Sequence, residues 1–257
     1  MAGTRRESAA PGPPYGGLRF GLRTGVAAWV LRRFPTPRRT PFTLAFLGVL
    51  VATTLFSRLA DPGLVGHLQA LSSTDGHNLL RHPLRALVLS GFWVAGPVWM
   101  PYLWAFVLAA APLERRVGAA RAAGVFAAGH VLATLLSQGV VAAAVRTGRL
   151  GPDALDRLDI GISYGVLATL GALAVLLPPV GRLLVLGGVG LLVADQVVAD
   201  RDLVTGVGHP AALVLGVLLG YLLRRRSRPP RRAGGSRPAA GPEPTGRPRG
   251  RAVLDRV

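Results

Sequence analysis

The 257-residue chain contains no cysteine, and none of its 30 basic residues is lysine; all are arginine. The missing cysteine excludes disulfides, thiolate metal sites and a cysteine nucleophile. His67, His77, His82, His130 and His209 show neither i, i+4 pairing nor a carboxylate at ligand spacing within one helix, so no metal is expected. No period-two alternation marks a strand, and no Walker-type or dinucleotide glycine loop follows a strand pattern, so neither β structure nor a cofactor is expected. Acidic side chains are scarce as well: twelve Asp and Glu against the arginines leave a net charge of +18.

Apolar residues make up 50% of the chain and mean hydropathy is +0.42. Thr40 to Ser57, Ala122 to Val145, Ile160 to Gly181 and Leu203 to Leu223 carry no Asp, Glu or Arg, and each is about long enough to cross a hydrocarbon layer ~30 Å thick. Two weaker runs complete the count. One, about Val98 to Leu113, follows the Gly96-Pro97 break; the other, Leu183 to Ala199, is interrupted by Asp195. The expected fold class is therefore all-α, a polytopic membrane protein with six transmembrane helices, located in the cell membrane.

Arginine placement fixes the expected topology. Eight arginines precede residue 40 and eleven lie from Arg224 onward, so both termini are expected in the cytoplasm, which requires an even number of spans. The connections holding Glu114-Arg115-Arg116, Arg121 and Arg182 are net positive. On the opposite side Arg146, Arg149 and Arg157 are offset by Asp153, Asp156 and Asp159, and Asp200 and Asp202 outweigh Arg201. The domain reading is a basic tail over 1–39, a membrane domain over 40–223 and an Arg/Pro/Gly-rich tail over 224–257, expected to be disordered and held on anionic membrane lipid. Neither tail interleaves arginine with aromatic or groove-reading elements, so no nucleic-acid partner is expected. Val26 to Leu31 is expected to rest on the membrane surface; it is too short for a signal-peptide core and no small-residue cleavage site follows.

Two places in the apolar pattern carry chemistry. Gly161-Ile162-Ser163-Tyr164-Gly165 opens the fourth span, and His209 opens the sixth, with Gly216 and Gly220 beyond it. Ser163 lies about one turn, ~5 Å, inside the outer end of its span and His209 at a similar depth, so the pair fits a nucleophile and its general base. Pro210 disfavours helical backbone at His209 but suits a helix's first position, which puts the imidazole at a cap where the dipole favours its neutral, proton-accepting form. The plainer alternatives are a packing serine, a hydrogen-bonding or capping histidine, and a small-xxx-small packing pattern at Gly216 and Gly220. His130, with Ser137 and Gln138 further along, reads as interhelical hydrogen bonding, and Asp195 as an exposed outer-loop residue. Arg58 to roughly Gly96 reads as an outer segment of interfacial helices, with Ala86 to Trp93 dipping into the outer leaflet.

In this order the features resemble the rhomboid family of six-span intramembrane serine proteases. The resemblance covers roughly Pro41 to Leu223. It rests on the long outer loop, Leu113-Glu114-Arg115-Arg116-Val117-Gly118 closing the second span, Gly161-Ile162-Ser163 with Gly171 eight residues beyond the serine, and His209 with Gly216 and Gly220. It implies Ser163 as nucleophile and His209 as general base. The His-x-x-x-Asn pair that helps rhomboids stabilise the oxyanion falls on about Val98 and Tyr102, so both expected side chains are missing; Tyr102 is the remaining oxyanion candidate. Tyr164 stands where the family usually has glycine and is expected to crowd the oxyanion site. Leu167 occupies the position of an aromatic that often stacks on the histidine, and the family's Trp-Arg pair in the first outer loop is not recognisable. Two functions follow: an intramembrane protease cleaving transmembrane protein substrates, or a catalytically inactive rhomboid-like protein that binds transmembrane partners. A small transporter fits less well, because no internal repeat with paired broken helices is found.

Overall fold

A computed structural model describes residues 35–94, 100–200 and 202–226. The expectations for Val26 to Leu31, the Gly96-Pro97 break, Val98, and the tail beyond Arg226 lie outside these residues. The described chain is helical: α1 (Pro41–Leu59), α2 (Pro62–Ser72), α3 (Gly76–Arg81), α4 (Pro83–Leu89) with a 3-10 turn at Ser90–Phe92, α5 (Met100–Val117), α6 (Ala119–Arg146), a 3-10 turn at Pro152–Asp156, α7 (Ser163–Leu176), α8 (Pro179–Asp200) and α9 (Leu203–Arg226). Among the described residues there is no strand.

Six of these helices stand where the six apolar runs predicted spans. Pro41–Leu59, Ala119–Arg146, Pro179–Val198 and Leu203–Arg225 are long and apolar enough to cross a membrane, whereas Ser163–Leu176 is a shorter apolar helix of 14 residues. The physical reason for its brevity is burial. From Tyr164 to Val175 only Leu170 is not fully buried, and α7 packs against α5, α6, α8 and α9. A helix surrounded by protein need not match the bilayer thickness, since its backbone hydrogen bonds are internal and its ends face protein or a cavity.

Small residues let the neighbours close on α7. A side-chain carbon at Gly216 would run into the Ala168 carbonyl, and one at Gly171 would sit 2.5 Å from the Leu213 carbonyl oxygen, so α7 and α9 meet backbone to backbone. Phe42, Phe46, Phe106 and Phe126 form a second packing centre that ties α1 to α5 and α6, with ring centroids 4.8–6.3 Å apart. Helix α8 is the loosest: it touches α7 and α9, and most of its surface, including Leu183, Leu184, Leu191 and Val198, is exposed.

The start of α1 is held by another helix. Thr40 makes no side-chain cap for α1. Instead the Glu114 carboxylate near the end of α5 accepts from the Phe42 and Thr43 amides, each at 2.8 Å, and from the Thr43 hydroxyl at 2.6 Å. The carboxylate, in a residue only 1% exposed, neutralises orphan donors at the positive end of a helix.

Between α1 and α5 the outer segment forms the short helices expected of it. Asp61 caps α2 and Asp75 caps α3, each accepting a backbone amide at 2.9 Å. Leu80 and Leu84 project outward while Ala86, Ser90 and Gly91 are buried.

Candidate functional site

The site lies where α7 and α9 begin. Gly161 has φ 139, a backbone region side-chain-bearing residues rarely adopt, and its amide donates to the Ser90 carbonyl at 3.0 Å. This turn delivers Ser163 as the first residue of α7, not one turn inside it as the apolar run suggested. The short central helix starts within the bundle, so its first residue already lies deep. No side chain caps this helix, leaving the amides of its first turn and the positive end of its dipole at the serine.

His209 also differs from expectation. Helix α9 begins six residues earlier, at Leu203, because the Asp202 carboxylate accepts the Thr205 amide at 3.1 Å. Pro210 is therefore inside the helix and His209 is not at its cap. A longer α9 and a shorter α7 still bring the two residues to one place. Ser163, His209 and Tyr102 line a single cavity of about 470 Å³, together with Val94, Asp159, Gln196 and Thr205. Ser163 is half-buried, His209 is 9% exposed and Tyr102 is 39% exposed.

Tyr164 lines the same cavity as Ser163 and His209. Its phenol turns toward α9, donates to the Val204 carbonyl at 3.1 Å, and its ring stands edge-on to the His209 imidazole, with centroids 5.5 Å apart and an 80° interplanar angle. The aromatic contact absent at Leu167 is thus supplied one residue after the serine. Gly208 makes the room, since a side-chain carbon there would overlap the phenol. Sequence reasoning missed this pairing because Gly208 beside His209 is informative only once the ring opposite is known.

His130 is buried in α6 and its Nε2 lies 3.0 Å from the Ser90 hydroxyl, the interhelical bond expected of it. Asp195 is exposed as expected, but on α8 rather than in a loop, because α8 continues to Asp200; its neighbour Gln196 reaches the cavity instead.

The larger omission is Asp159. Counted from the sequence as one of three outer-loop carboxylates, it is half-buried and lines the cavity, and its Oδ2 accepts from the Thr74 hydroxyl at 2.9 Å and the Gln138 amide at 3.0 Å. Its own amide donates to the Ser73 hydroxyl at 3.0 Å and its carbonyl accepts the Thr74 amide at 2.9 Å. The segment entering Ser163 is thereby tied to both α6 and the outer segment. Its sequence signal was faint: the last charge before the uncharged run, facing one glutamine in an apolar helix.

Burial pushes the Asp159 carboxyl above the usual aspartate range, and the Gln138 and Thr74 hydrogen bonds only partly oppose this. The folded state therefore binds this proton more tightly than the unfolded chain, so stability falls as pH rises from the ordinary aspartate value through the raised one. Asp159→Asn should flatten that slope. Unfolding midpoints measured between about pH 4 and pH 7 would show it, and an unchanged slope would mean another group is responsible.

The family model described as "Rhomboid-like protein" matches residues 36–229, more than half of the chain. The chain belongs to the rhomboid-like protein family. No curated protein and no solved structure matches it. Membership, together with the helices long and apolar enough to cross a membrane, makes the chain an integral membrane protein. The matched residues include both Ser163 and His209.

Proposed function

We propose that this rhomboid-like protein is an intramembrane serine protease acting on transmembrane protein substrates. The observation that carries the reading is the shared cavity: a half-buried serine at a helix N-terminus, a histidine and a tyrosine border one space large enough for several waters and an unwound peptide. Ser163 Oγ attacks the carbonyl carbon of a peptide bond while His209 takes the hydroxyl proton. The resulting oxyanion is held by the first-turn amides of α7 and by the Tyr102 hydroxyl. His209 returns the proton to the leaving amine, the C–N bond breaks and an acyl-serine remains. Water, deprotonated by His209, then releases the acid and restores Ser163. No metal or cofactor takes part in these steps.

The edge of Tyr164 against His209 restricts ring rotation and supports proton transfer in a fixed direction. A fluorophosphonate probe tests the assignment. Wild type should label, Ser163→Ala should not, and His209→Ala should slow labelling by about 10²–10⁴-fold, with Asp195→Asn near wild type. Labelling that survives Ser163→Ala would show that the reactive group is elsewhere.

A second reading has a specific observation in its favour. Helix α8 packs mainly on α7 and α9 and exposes leucines and valines along its length, a surface suited to transmembrane partners without cleavage. A wild type that never labels would favour it. In either case we place both tails in the cytoplasm, on the arginine asymmetry, with the arginine tails against anionic lipid and no nucleic-acid partner. Reporters fused at Gly151 and Gly234 should then mark opposite sides of the membrane, and the same side for both would overturn that topology.

A further inference from the structure

A second space lies on the other side of the α8–α9 connection. Helices α6 and α9 close on each other at Ala133 and Ala212, both fully buried in one core cluster. Toward the site end they part and leave an apolar groove of about 750 Å³. Val140, Ala143, Ala144 and Thr147, at helical spacing on one face of α6, look across it to Gly206 and Val207 of α9. Gly206 has nothing within 4 Å of where a side-chain carbon would stand, so the space beside it is unfilled.

The chain places a cation over the end of this groove. Gly148, with φ 71, reverses the backbone after α6, and the amides of Arg149 and Leu150 fold back onto the Ala144 carbonyl at 2.9 and 3.3 Å. Arg149 therefore borders the groove at the level where α6 ends, with exposed Arg146 in the last helical turn beside it. The groove's carboxylate, Asp202, is already neutralised by Arg157 at 2.8 Å. The connection as a whole is balanced by Asp153, Asp156 and Asp159, but among the described residues neither Arg146 nor Arg149 forms an ion pair, so two guanidinium groups without a contact partner stand at the mouth of an apolar slot.

We propose that this groove is a binding site for a glycerophospholipid with a net negative headgroup. One acyl chain lies between α6 and α9 beside Gly206, and the headgroup phosphate sits at the interfacial depth of Arg149 and accepts from its guanidinium. A transmembrane peptide would need no charge at this depth, and a zwitterionic lipid, whose own ammonium already accompanies the phosphate, would gain less from two arginines that lack an ionic partner. The groove shares Asp202 but no other lining residue with the Ser163 cavity, and the proposal does not depend on proteolysis.

The absence of cysteine makes the test direct. Ala143→Cys carries a bimane fluorophore at the groove, and Leu132→Cys carries one on an exposed part of α6 away from it. Both proteins are reconstituted in vesicles containing phosphatidylglycerol or phosphatidylcholine with brominated acyl chains, which quench bimane on contact. At Ala143 brominated phosphatidylglycerol should quench at about fivefold lower mole fraction than phosphatidylcholine, the gain expected from one interfacial arginine; at Leu132 the two should be equal. Arg149→Gln, an exposed change that leaves the fold intact, should bring Ala143 to parity. Gly206→Leu should fill the slot and lower quenching by both lipids at Ala143. Equal quenching at Ala143 in the otherwise native protein, a preference that persists in Arg149→Gln, or displacement of the lipid by a neutral polyleucine transmembrane peptide would overturn the proposal.

Discussion

Glu114→Ala is expected to be among the most destabilising single substitutions in the chain, by about 3 kcal/mol or more. The carboxylate serves three donors, the amides of Phe42 and Thr43 and the Thr43 hydroxyl, and the residue is 1% exposed. Alanine would leave those donors without an acceptor in an interior that admits little water, and each orphan costs about 1–3 kcal/mol. It would also remove a negative charge from the positive end of α1. Glu114→Gln keeps one carbonyl oxygen and should lose roughly half as much, since it can still accept but carries no charge. Arg116→Gln, whose exposed guanidinium donates to the Pro112 carbonyl at 2.9 Å, should stay within about 0.5 kcal/mol of wild type. Unfolding by a denaturing detergent, followed by circular dichroism, orders the three variants. A Glu114→Ala protein as stable as Arg116→Gln would mean that solvent replaces the carboxylate and that the cap is not buried in practice.

The same residue illustrates what the sequence could convey. Glu114 stood out as part of a charged pattern ending a span, and pattern was enough to fix helix order, because crossing a bilayer imposes a length and an apolarity that can be read directly. Pattern could not reveal that the carboxylate turns back to cap α1, since that contact spans 71 and 72 positions. The same limit explains the errors at the site. An uncharged run gives the length of apolar chain, not where its helix starts. The central helix begins at Ser163 because Gly161 and the Asp159 hydrogen bonds hold the preceding residues in a turn. Likewise Pro210 was read as a start signal, which holds where nothing upstream caps the helix; Asp202 supplies that cap, and a proline inside a helix is tolerated where neighbouring helices surround it. Tyr164 was judged from its place beside the serine, but Gly208 on the facing helix decides where the phenol goes.

On the proposed protease reading, supplying oxyanion donors should raise proteolysis more than any other change. The resemblance to rhomboid proteases puts their His-x-x-x-Asn pair at about Val98 and Tyr102, and of the two native side chains only the tyrosine can donate a hydrogen bond. Tyr102 lines the cavity with Ser163 and His209, so a phenolic hydroxyl is available where negative charge develops, alongside the amides that open α7. Losing a well-placed donor costs ~10²–10³ in rate, so an enzyme lacking one should respond to its return by a comparable factor. Val98→His combined with Tyr102→Asn should accelerate cleavage of a transmembrane substrate carrying helix-breaking residues by roughly tenfold to 10³-fold, expressed in kcat rather than KM because the oxyanion exists only after attack. On the same reading Tyr102→Phe alone should slow cleavage by the wild-type protein, since it keeps the ring and removes the donor. In a Ser163→Ala background neither change should have any effect, because without a nucleophile no oxyanion forms. Acceleration that persists without Ser163 would show that another group carries out the cleavage, and a Tyr102→Phe protein with unchanged kcat would leave the backbone amides of α7 to hold the oxyanion.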